Sequence, residues 1–423
     1  MHALEKIMAR ASGNTELHAG QIVEVNVDSA MLHDRAGPKV MELMKKHGLE
    51  REPFAIPEKM AIYFDHDAPS CKLNSATKQK AWRDFAMSKG CTHINEAGCG
   101  VSHILMMEQG WITPGRVIVG TDSHACTGGA LGALAAGIGE TEMTAVVMTG
   151  HLWFKVPKIA KIILNGRPSP LAGPKDIALW LLKQLGTGSF IYTAVEFAGT
   201  YVDSLSIEER SVISSMSVEL GTKFGYMQPD EKTFVYLRSR GVTWDAPIPM
   251  TDSDYEYSQT VEFDVTDLPP LVAQPHGYDN IIPARDLKEG VKIDQAVIGS
   301  CTGGLLRDLE MAAAILKGKK TAPHVRLIVT PASREIYLTA LNKGYIQTIV
   351  EAGGIFCPPR CGPCGSSHDG LLGPGEVCIV NANRNFRGRL GSPDALLYLA
   401  STATVAASAV EGVVCAPKEE EMK

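Results

Sequence analysis

The chain lacks any run of apolar residues long enough to cross a bilayer; its longest uncharged stretches are rich in Gly and Ala and end at Glu140 or Glu411. Residues 1–10 carry charges throughout and no apolar core of the signal-peptide kind. It lacks an excess of positive charge as well. Forty-one Lys and Arg stand against 47 Asp and Glu, a net charge of −6, and they are scattered, so no basic stripe offers a polyanion a track. Cysteine is sparse, 10 in 423 residues, far below the density of a disulfide scaffold, and is expected as thiols in a reducing compartment. No repeat of solenoid period occurs, and nothing is low in complexity beyond the charged tail 418–423, an expected solvated end. These absences point away from membrane, secreted and nucleic-acid-binding proteins and predict a cytoplasmic globular one. With 45% hydrophobic residues over 423 positions, two or three packed lobes are expected rather than one core.

What is present alternates. Residues 21–27 read as a strand and 36–47 as a helix with apolar positions at helical spacing, with Asp28 and Asp34 bordering the turn between them. Residues 61–64 form a strand that runs straight into Asp65-His66-Asp67, residues 78–89 a helix, and 92–94 an extended piece. A buried strand at 117–119 ends in Gly120-Thr121-Asp122-Ser123-His124, followed by glycines 128, 129, 132, 137 and 139. After about residue 285 a second set begins: strand 291–298 ending at Cys301, helix 308–316, strand 325–330 and helix 334–343. The alternation predicts an α/β protein with several sheets, its polar residues at strand ends where loops and helix N-termini converge. Two intertwined lobes are expected in 1–285 and a further lobe in 286–423, connected through the acidic, turn-rich 252–267 and the pair Pro269-Pro270. The glycines at 128–139 lack the Gly-x-Gly-x-x-Gly order directly after a strand, and no acidic residue follows some twenty positions on, so a dinucleotide is not expected there.

Cys361-Gly362-Pro363-Cys364 offers two sulfurs from one tight turn, and a distant third stands in Gly299-Ser300-Cys301-Thr302-Gly303-Gly304. Three thiolates can hold a four-iron cluster with one iron left open as a Lewis acid. On spacing alone a dithiol redox pair or a zinc site remain open, although neither Cys357 nor His368 makes a second well-spaced ligand pair.

Four motifs in this order, Gly120-Thr121-Asp122-Ser123-His124, Gly299-Ser300-Cys301-Thr302, Cys361-Gly362-Pro363-Cys364 and Asn383-Arg384-Asn385-Phe386-Arg387-Gly388-Arg389, resemble the aconitase family of iron–sulfur hydro-lyases nearly end to end. The length and the stretch 192–234 resemble the large subunit of its two-component members, 3-isopropylmalate dehydratase, homoaconitase and 2,3-dimethylmalate dehydratase. The resemblance implies an aconitase-like α/β fold of several α/β/α lobes packed around a central 4Fe–4S cluster. Cys301, Cys361 and Cys364 would be its ligands, with one iron open to the substrate's hydroxyl and an adjacent carboxylate oxygen. The implied reaction is the reversible dehydration and rehydration of a hydroxy di- or tricarboxylic acid, foremost of the 3-isopropylmalate dehydratase type.

Carried over by position, Arg384 and Arg389 match carboxylate-binding arginines, whose guanidinium forks hold a carboxylate by two hydrogen bonds, with Asn383 and Ser123 also at the substrate. Asp65-His66 matches a pair that handles the proton of the departing hydroxyl; a carboxylate beside an imidazole keeps a proton available near neutrality. His103 matches a second site histidine, and Asp122 with His124 the hydrogen-bonding shell around cluster-bound water. Glu196, in Ala194-Val195-Glu196-Phe197, matches a glutamate near substrate and cluster. Taken singly, these histidines would be satisfied structural residues and the arginines solvated ones.

The resemblance also implies a missing part. In the family a serine alkoxide held near arginines in a separate domain removes the carbon-bound proton, and this chain carries no counterpart of that serine–arginine motif; Gly365-Ser366-Ser367 stands beside the cluster cysteines instead. A small-subunit partner that supplies the serine base and further arginines is therefore expected. Three departures bear on substrate: Gly303 stands where an asparagine usually follows Ser-Cys-Thr, Val380-Asn381-Ala382 replaces a Ser/Thr-rich lead into Asn-Arg-Asn-Phe, and Thr402 replaces a common proline. Losing an asparagine beside a cluster cysteine bears on redox potential, cluster lability or the pocket, and suggests an unusual substrate. From other classes, a cluster-sensing, RNA-binding regulatory protein is opposed by the acidic balance, and a non-catalytic zinc protein remains.

Overall fold

Short apolar strands followed by polar turns and amphipathic helices assemble into two compact units in the computed structural model, which describes every residue except 245–246, 288–289, 365–368 and 423, and no side chain at 421–422. The first unit comprises Met1–Glu96, Ser102–Asn165 and Gly188–Asp264; the second comprises Ala97–Val101, Gly166–Thr187 and Val265–Lys423.

In the first unit a five-stranded sheet runs His93–Asn95, Met60–Tyr63, Ser29–His33, Val117–Gly120, Leu134–Gly137, and every neighbouring pair is parallel. Met60–Tyr63 and Val117–Gly120 are buried at every position, which explains why they read as unbroken apolar runs rather than alternating ones. The strand earliest in sequence, Ser29–His33, lies in the middle, with the next two strands to one side and the last two to the other. The strand order therefore reverses between Ser29–His33 and Val117–Gly120. At such a reversal successive loops leave toward opposite faces and open a crevice at the carboxyl ends of the strands.

The same unit holds a four-stranded sheet, in the order Phe224–Tyr226, Thr193–Ala198, Lys158–Asn165, Gln259–Asp264, and a two-stranded antiparallel ribbon of Ile22–Asn26 with His151–Lys155. The connection expected at 252–267 thus contains an edge strand, paired in parallel from Gln259↔Ala160 to Asp264↔Asn165. Its acidic look reflects the exposed side of that edge: Gln259, Thr260, Glu262 and Asp264 are exposed and Val261 and Phe263 half-buried. The glycine-rich stretch serves packing. A Cβ on Gly129 would lie 1.6 Å from the carbonyl oxygen of Gly225, so only glycine lets these backbones meet.

The second unit is built on a seven-stranded sheet in the order Ile281–Pro283, Leu271–Ala273, Leu396–Ala400, Val377–Val380, Gln295–Ile298, Arg326–Val329, Ile355–Phe356. The last five are parallel and the first two antiparallel. Again the strand earliest among the parallel five, Gln295–Ile298, is central, and the order reverses beside it, against Val377–Val380. That strand is shorter than the expected 291–298 because residues 291–293 pair with 412–414 instead, through Ile293 N–H to Gly412 C=O and Val414 N–H to Val291 C=O. Residues 97–101 belong to this unit through Val101 N–H to Ala332 C=O at 2.8 Å. Helix Pro174–Leu185 is held by Asp176, whose carboxylate accepts from Leu271 N–H and Gly173 N–H, both at 2.8 Å. Among the described residues no helix is long and apolar enough to cross a membrane.

Candidate active site

The carboxyl ends of three neighbouring strands in the first unit bring His33-Asp34, Asp65-His66 and Thr121-Asp122 together beside the reversal in strand order. His66 is bracketed by two carboxylates: Nδ1 lies 2.8 Å from Asp65 Oδ1 and Nε2 lies 3.1 Å from Asp122 Oδ2. Burial works against a charged imidazole here, but the two carboxylates outweigh it and hold His66 well above the usual histidine range. Burial likewise opposes ionisation of Asp122, yet hydrogen bonds from His124 and His66 keep it well below the usual carboxylate range. His66 is thus a protonated acid between two anions. Asp65 is fixed from its other side by Ser102 N–H at 2.7 Å, and Asp34 pins the turn by accepting from His66 N–H (3.0 Å) and Asp67 N–H (2.9 Å).

The ring of His33 stacks on that of His66 at 4.2 Å between centroids. His33 Nδ1 faces the backbone N–H groups of Arg35 and Ala36 and accepts from them, so the ring proton sits on Nε2, directed at Thr121 C=O 3.2 Å away. Burial and the neighbouring His66 charge push His33 down to about 4, so it is neutral. His33, Asp34 and His66 lie close enough to suggest a metal site, but both ring nitrogens of each histidine are already committed, and the group is read as a proton-holding one. Around it, His124 Nδ1 lies 3.4 Å from Asp122 Oδ1 and Nε2 3.5 Å from Glu219 Oε1, and buried His103 sits 6.3 Å from the His124 ring. Ser123 is exposed, with Oγ 3.3 Å from His124 Nδ1.

The second constellation lies at the strand-order reversal of the seven-stranded sheet. Cys301 follows Gln295–Ile298, Asn383 and the arginines follow Val377–Val380, and Cys361 and Cys364 lie on the short turn after Ile355–Phe356. All ten cysteines are thiols, none in a disulfide. Asn383 Nδ2 donates to Cys301 Sγ at 3.2 Å, and Arg389 donates to Cys364 Sγ at 3.5 Å. Cys364 is drawn well below the ordinary thiol range, first by a hydrogen bond from Cys361, then, against burial, by the Arg389 charge and the Ser300 hydroxyl. Arg384 is half-buried on the same loop. Ser300, one residue before Cys301, has φ of 70°, a left-handed conformation that costs a non-glycine residue on the order of 1–3 kcal/mol. Cys357 is no fourth ligand: its thiol donates to Asp369 at 3.3 Å, and burial together with that carboxylate pushes it up. His368, Gly365, Ser366 and Ser367 lie outside the described residues.

Several contributors escaped the sequence reading. Lys175 is buried, and its Nζ donates to Thr302 Oγ1 (2.5 Å), Ala382 C=O (2.9 Å) and Asn383 Oδ1 (3.4 Å), which turns the Asn383 amide N–H toward Cys301. Burial lowers Lys175 to about 8 while Cys301 and Cys364 favour its charge. A lone lysine in Gly173-Pro174-Lys175-Asp176 carries no signal until the fold places it. His33-Asp34 did carry one, a polar pair after an apolar strand like Asp65-His66. Glu196, expected near the substrate, sits in another cluster of the first unit. It accepts from His2 Nε2 at 2.7 Å, Tyr257 OH at 3.1 Å and Lys161 Nζ at 3.0 Å, and His2 Nδ1 in turn caps helix Ala3–Ser12 by accepting from Leu4 N–H.

The α/β frame thus carries a histidine held between two carboxylates in one unit and a pocket of thiols with guanidinium and amide donors in the other. The sequence profile of the aconitase family (aconitate hydratase) matches residues 5–412. A probable 3-isopropylmalate dehydratase large subunit of Methanothermobacter thermautotrophicus is 45% identical over 99% of each chain. A probable methanogen homoaconitase large subunit of the same organism is 42% identical over 99% of this chain and 98% of that one. The aconitase X of Thermococcus kodakaraensis shares the fold, with a TM-score of 0.54 at 14% identity over 99% of this chain and 94% of the other. The chain belongs to the aconitase family, whose enzymes use a 4Fe–4S cluster. The donor set fits such a group: Cys301 and Cys364 are buried and Cys361 half-buried, and the first two accept N–H bonds from Asn383 and Arg389 as cluster thiolates do.

Proposed function

We propose that the chain is the large catalytic subunit of a two-component hydro-lyase that reversibly dehydrates and rehydrates a hydroxy di- or tricarboxylic acid of the 3-isopropylmalate type. Cys301, Cys361 and Cys364 would hold its cluster with one iron open. The observation that carries this reading is one pocket in which Asn383 donates to Cys301 and Arg389 donates to Cys364, the thiol that Cys361 and Arg389 draw well below the ordinary range. When bound, the cluster supplies Lewis-acid polarisation of the substrate's hydroxyl.

The rest falls to side chains. Arg384 and Arg389 bind and orient carboxylates through paired N–H donors. Asp65 keeps His66 protonated, and Asp122 holds its Nε2 proton until the hydroxyl departs and takes it as water; rehydration returns it along the same path. His103, His124 and Ser123 orient the groups around that water. Glu196 anchors the N-terminal helix through His2 rather than taking a proton in the reaction. The carbon-bound proton is taken by a serine of a small-subunit partner, which also brings further arginines; the "large subunit" names of the relatives support that partner. The homoaconitase-type relative favours, as a second reading, a homoaconitase.

Anaerobic purification followed by iron and sulfide analysis is the first test, with about four of each per chain expected for one cluster. Stoichiometric zinc without sulfide would sink the reading. Coexpression with a candidate small subunit and assay on a panel of 2- and 3-hydroxy diacids then separates the substrates. Full turnover by the reconstituted large chain alone would remove the partner.

A further inference from the structure

The loop that carries Cys301 is tied at both of its ends to the side chain of Asn381. Ser300 adopts a left-handed backbone, which a residue with a Cβ holds only when its surroundings enforce it. Asn381, 1% exposed just past Val377–Val380, supplies the enforcement at both ends of that loop. Its Oδ1 accepts from Gly299 N–H at 2.8 Å, and its Nδ2 donates to Gly303 C=O at 2.9 Å. Nδ2 also donates to Thr402 Oγ1 at 2.8 Å; Thr402 donates to Asp308 at 2.5 Å, and Asp308 caps helix Leu306–Leu316 by accepting from Leu305 N–H at 3.1 Å.

Gly303 is explained by the same side chain. Its φ lies outside the left-handed region, so the backbone does not demand glycine there. Space does: a Cβ on residue 303 would stand 2.2 Å from Asn381 Cγ and Oδ1. The three departures from the family pattern, at 303, at 380–382 and at 402, are therefore neighbours in one hydrogen-bonded cluster. The carboxamide of Asn381 occupies the space that a side chain at 303 would need. Thr402 brings the hydroxyl that receives it, which a proline could not offer.

We propose that Asn381 is the positioning residue of the Cys301 loop, coupled to Gly303 and Thr402 as one compensated exchange that keeps the loop in place, so that these departures do not mark a new substrate. This rests on the function proposed above only where a cluster is read.

The test is a double-mutant cycle on the full chain with Gly303→Asn, Asn381→Ser and the pair together. In the metal-free protein, each single change is expected to lower the thermal midpoint and the pair to recover most of the loss. In the reconstituted protein, each single change should shorten the lifetime of the open iron in air about tenfold, followed by the electron-paramagnetic signal of the three-iron form. The pair should come back to within about threefold of the unaltered chain, since contacting residues couple by this order. Thr402→Val should lower the midpoint more in the original chain than in the Asn381→Ser variant, where only the bond from Thr402 to Asp308 is left to lose. Additive single effects, or an Asn381→Ser variant with unchanged midpoint and iron lifetime, would overturn the proposal. A chain that binds no iron and sulfide at all refutes the function proposed above, while the metal-free cycle still decides the coupling.

Discussion

The two parallel cores of this chain have the same strand order and opposite chemistry. In each, the strand earliest in sequence lies in the middle, the next two flank it on one side and the following two on the other. In the first unit the loops at the reversal carry Asp34, Asp65, His66 and Asp122; in the second, the loops around the equivalent point carry Cys301, Asn381 and Asn383. The topology provides a crevice at the strand ends in both cases and is silent on what fills it. Charge is managed differently too. The first crevice raises the proton affinity of an imidazole by placing it between carboxylates, and the second lowers that of a thiol by placing an arginine and a second thiol beside it.

The comparison can be broken from either side. Cys364→Ala should abolish iron and sulfide binding and reduce turnover with the small subunit by about a thousandfold or more; retained iron would show that the second crevice does not work through its sulfurs. Asp65→Asn should lower kcat about 10²–10⁴-fold with iron content intact. Its pH profile should also move, because His66 without that carboxylate loses its proton at lower pH. Lys175→Met leaves Ala382 C=O without its lysine donor and Asn383 Oδ1 with Thr302 in place of two donors, and should cost about 1–3 kcal/mol in urea unfolding. The same change should raise the pH at which Cys301 and Cys364 of the metal-free protein are alkylated, because a positive charge beside them is gone.

His33 gives a smaller, pH-dependent effect. Its folded pKa of about 4 lies below the ordinary 6.5, so between those values the unfolded chain binds a proton that the folded one refuses. Stability must then fall as pH falls through that window, by up to about 1.4 kcal/mol per pH unit. His33→Gln should remove that slope, as read from unfolding curves across the window. The smallest change is expected for Glu196→Gln, about 1 kcal/mol of stability from weakened bonds to His2 and Lys161. The shape of its pH–rate profile should stay as it was; a displaced limb would return Glu196 to the reaction.

How much of this could be read in advance follows from what each feature depends on. The strands ending in Asp65-His66 and in Asp122 were legible because an apolar run followed by polar residues is a local pattern, and helices at 36–47 and 334–343 appear as Gly37–Lys46 and Arg334–Asn342. The edge strand Gln259–Asp264 was not, since its polar residues satisfy solvent on one side while its backbone pairs with Lys158–Asn165. His2 meets Glu196 across 194 residues, and Lys175 meets Asn383 across 208. Such pairs depend on long-range packing, to which spacing and composition are blind. The departures at 303, 381 and 402 were visible one by one, but not that they touch.

The route of the backbone has a practical corollary. It passes from one unit to the other at 96/97, 101/102, 165/166, 187/188 and 264/265. A ribosome therefore cannot finish the first unit until the strand closing at Asp264 has emerged, with two pieces of the second already made and waiting. Nor can a protease nick or a split-gene junction at any one bond release either half intact: cutting at 264/265 would strand residues 97–101 and 166–187 on the wrong fragment. Anyone wishing to study the thiol pocket in isolation would have to rewire the polypeptide, not shorten it.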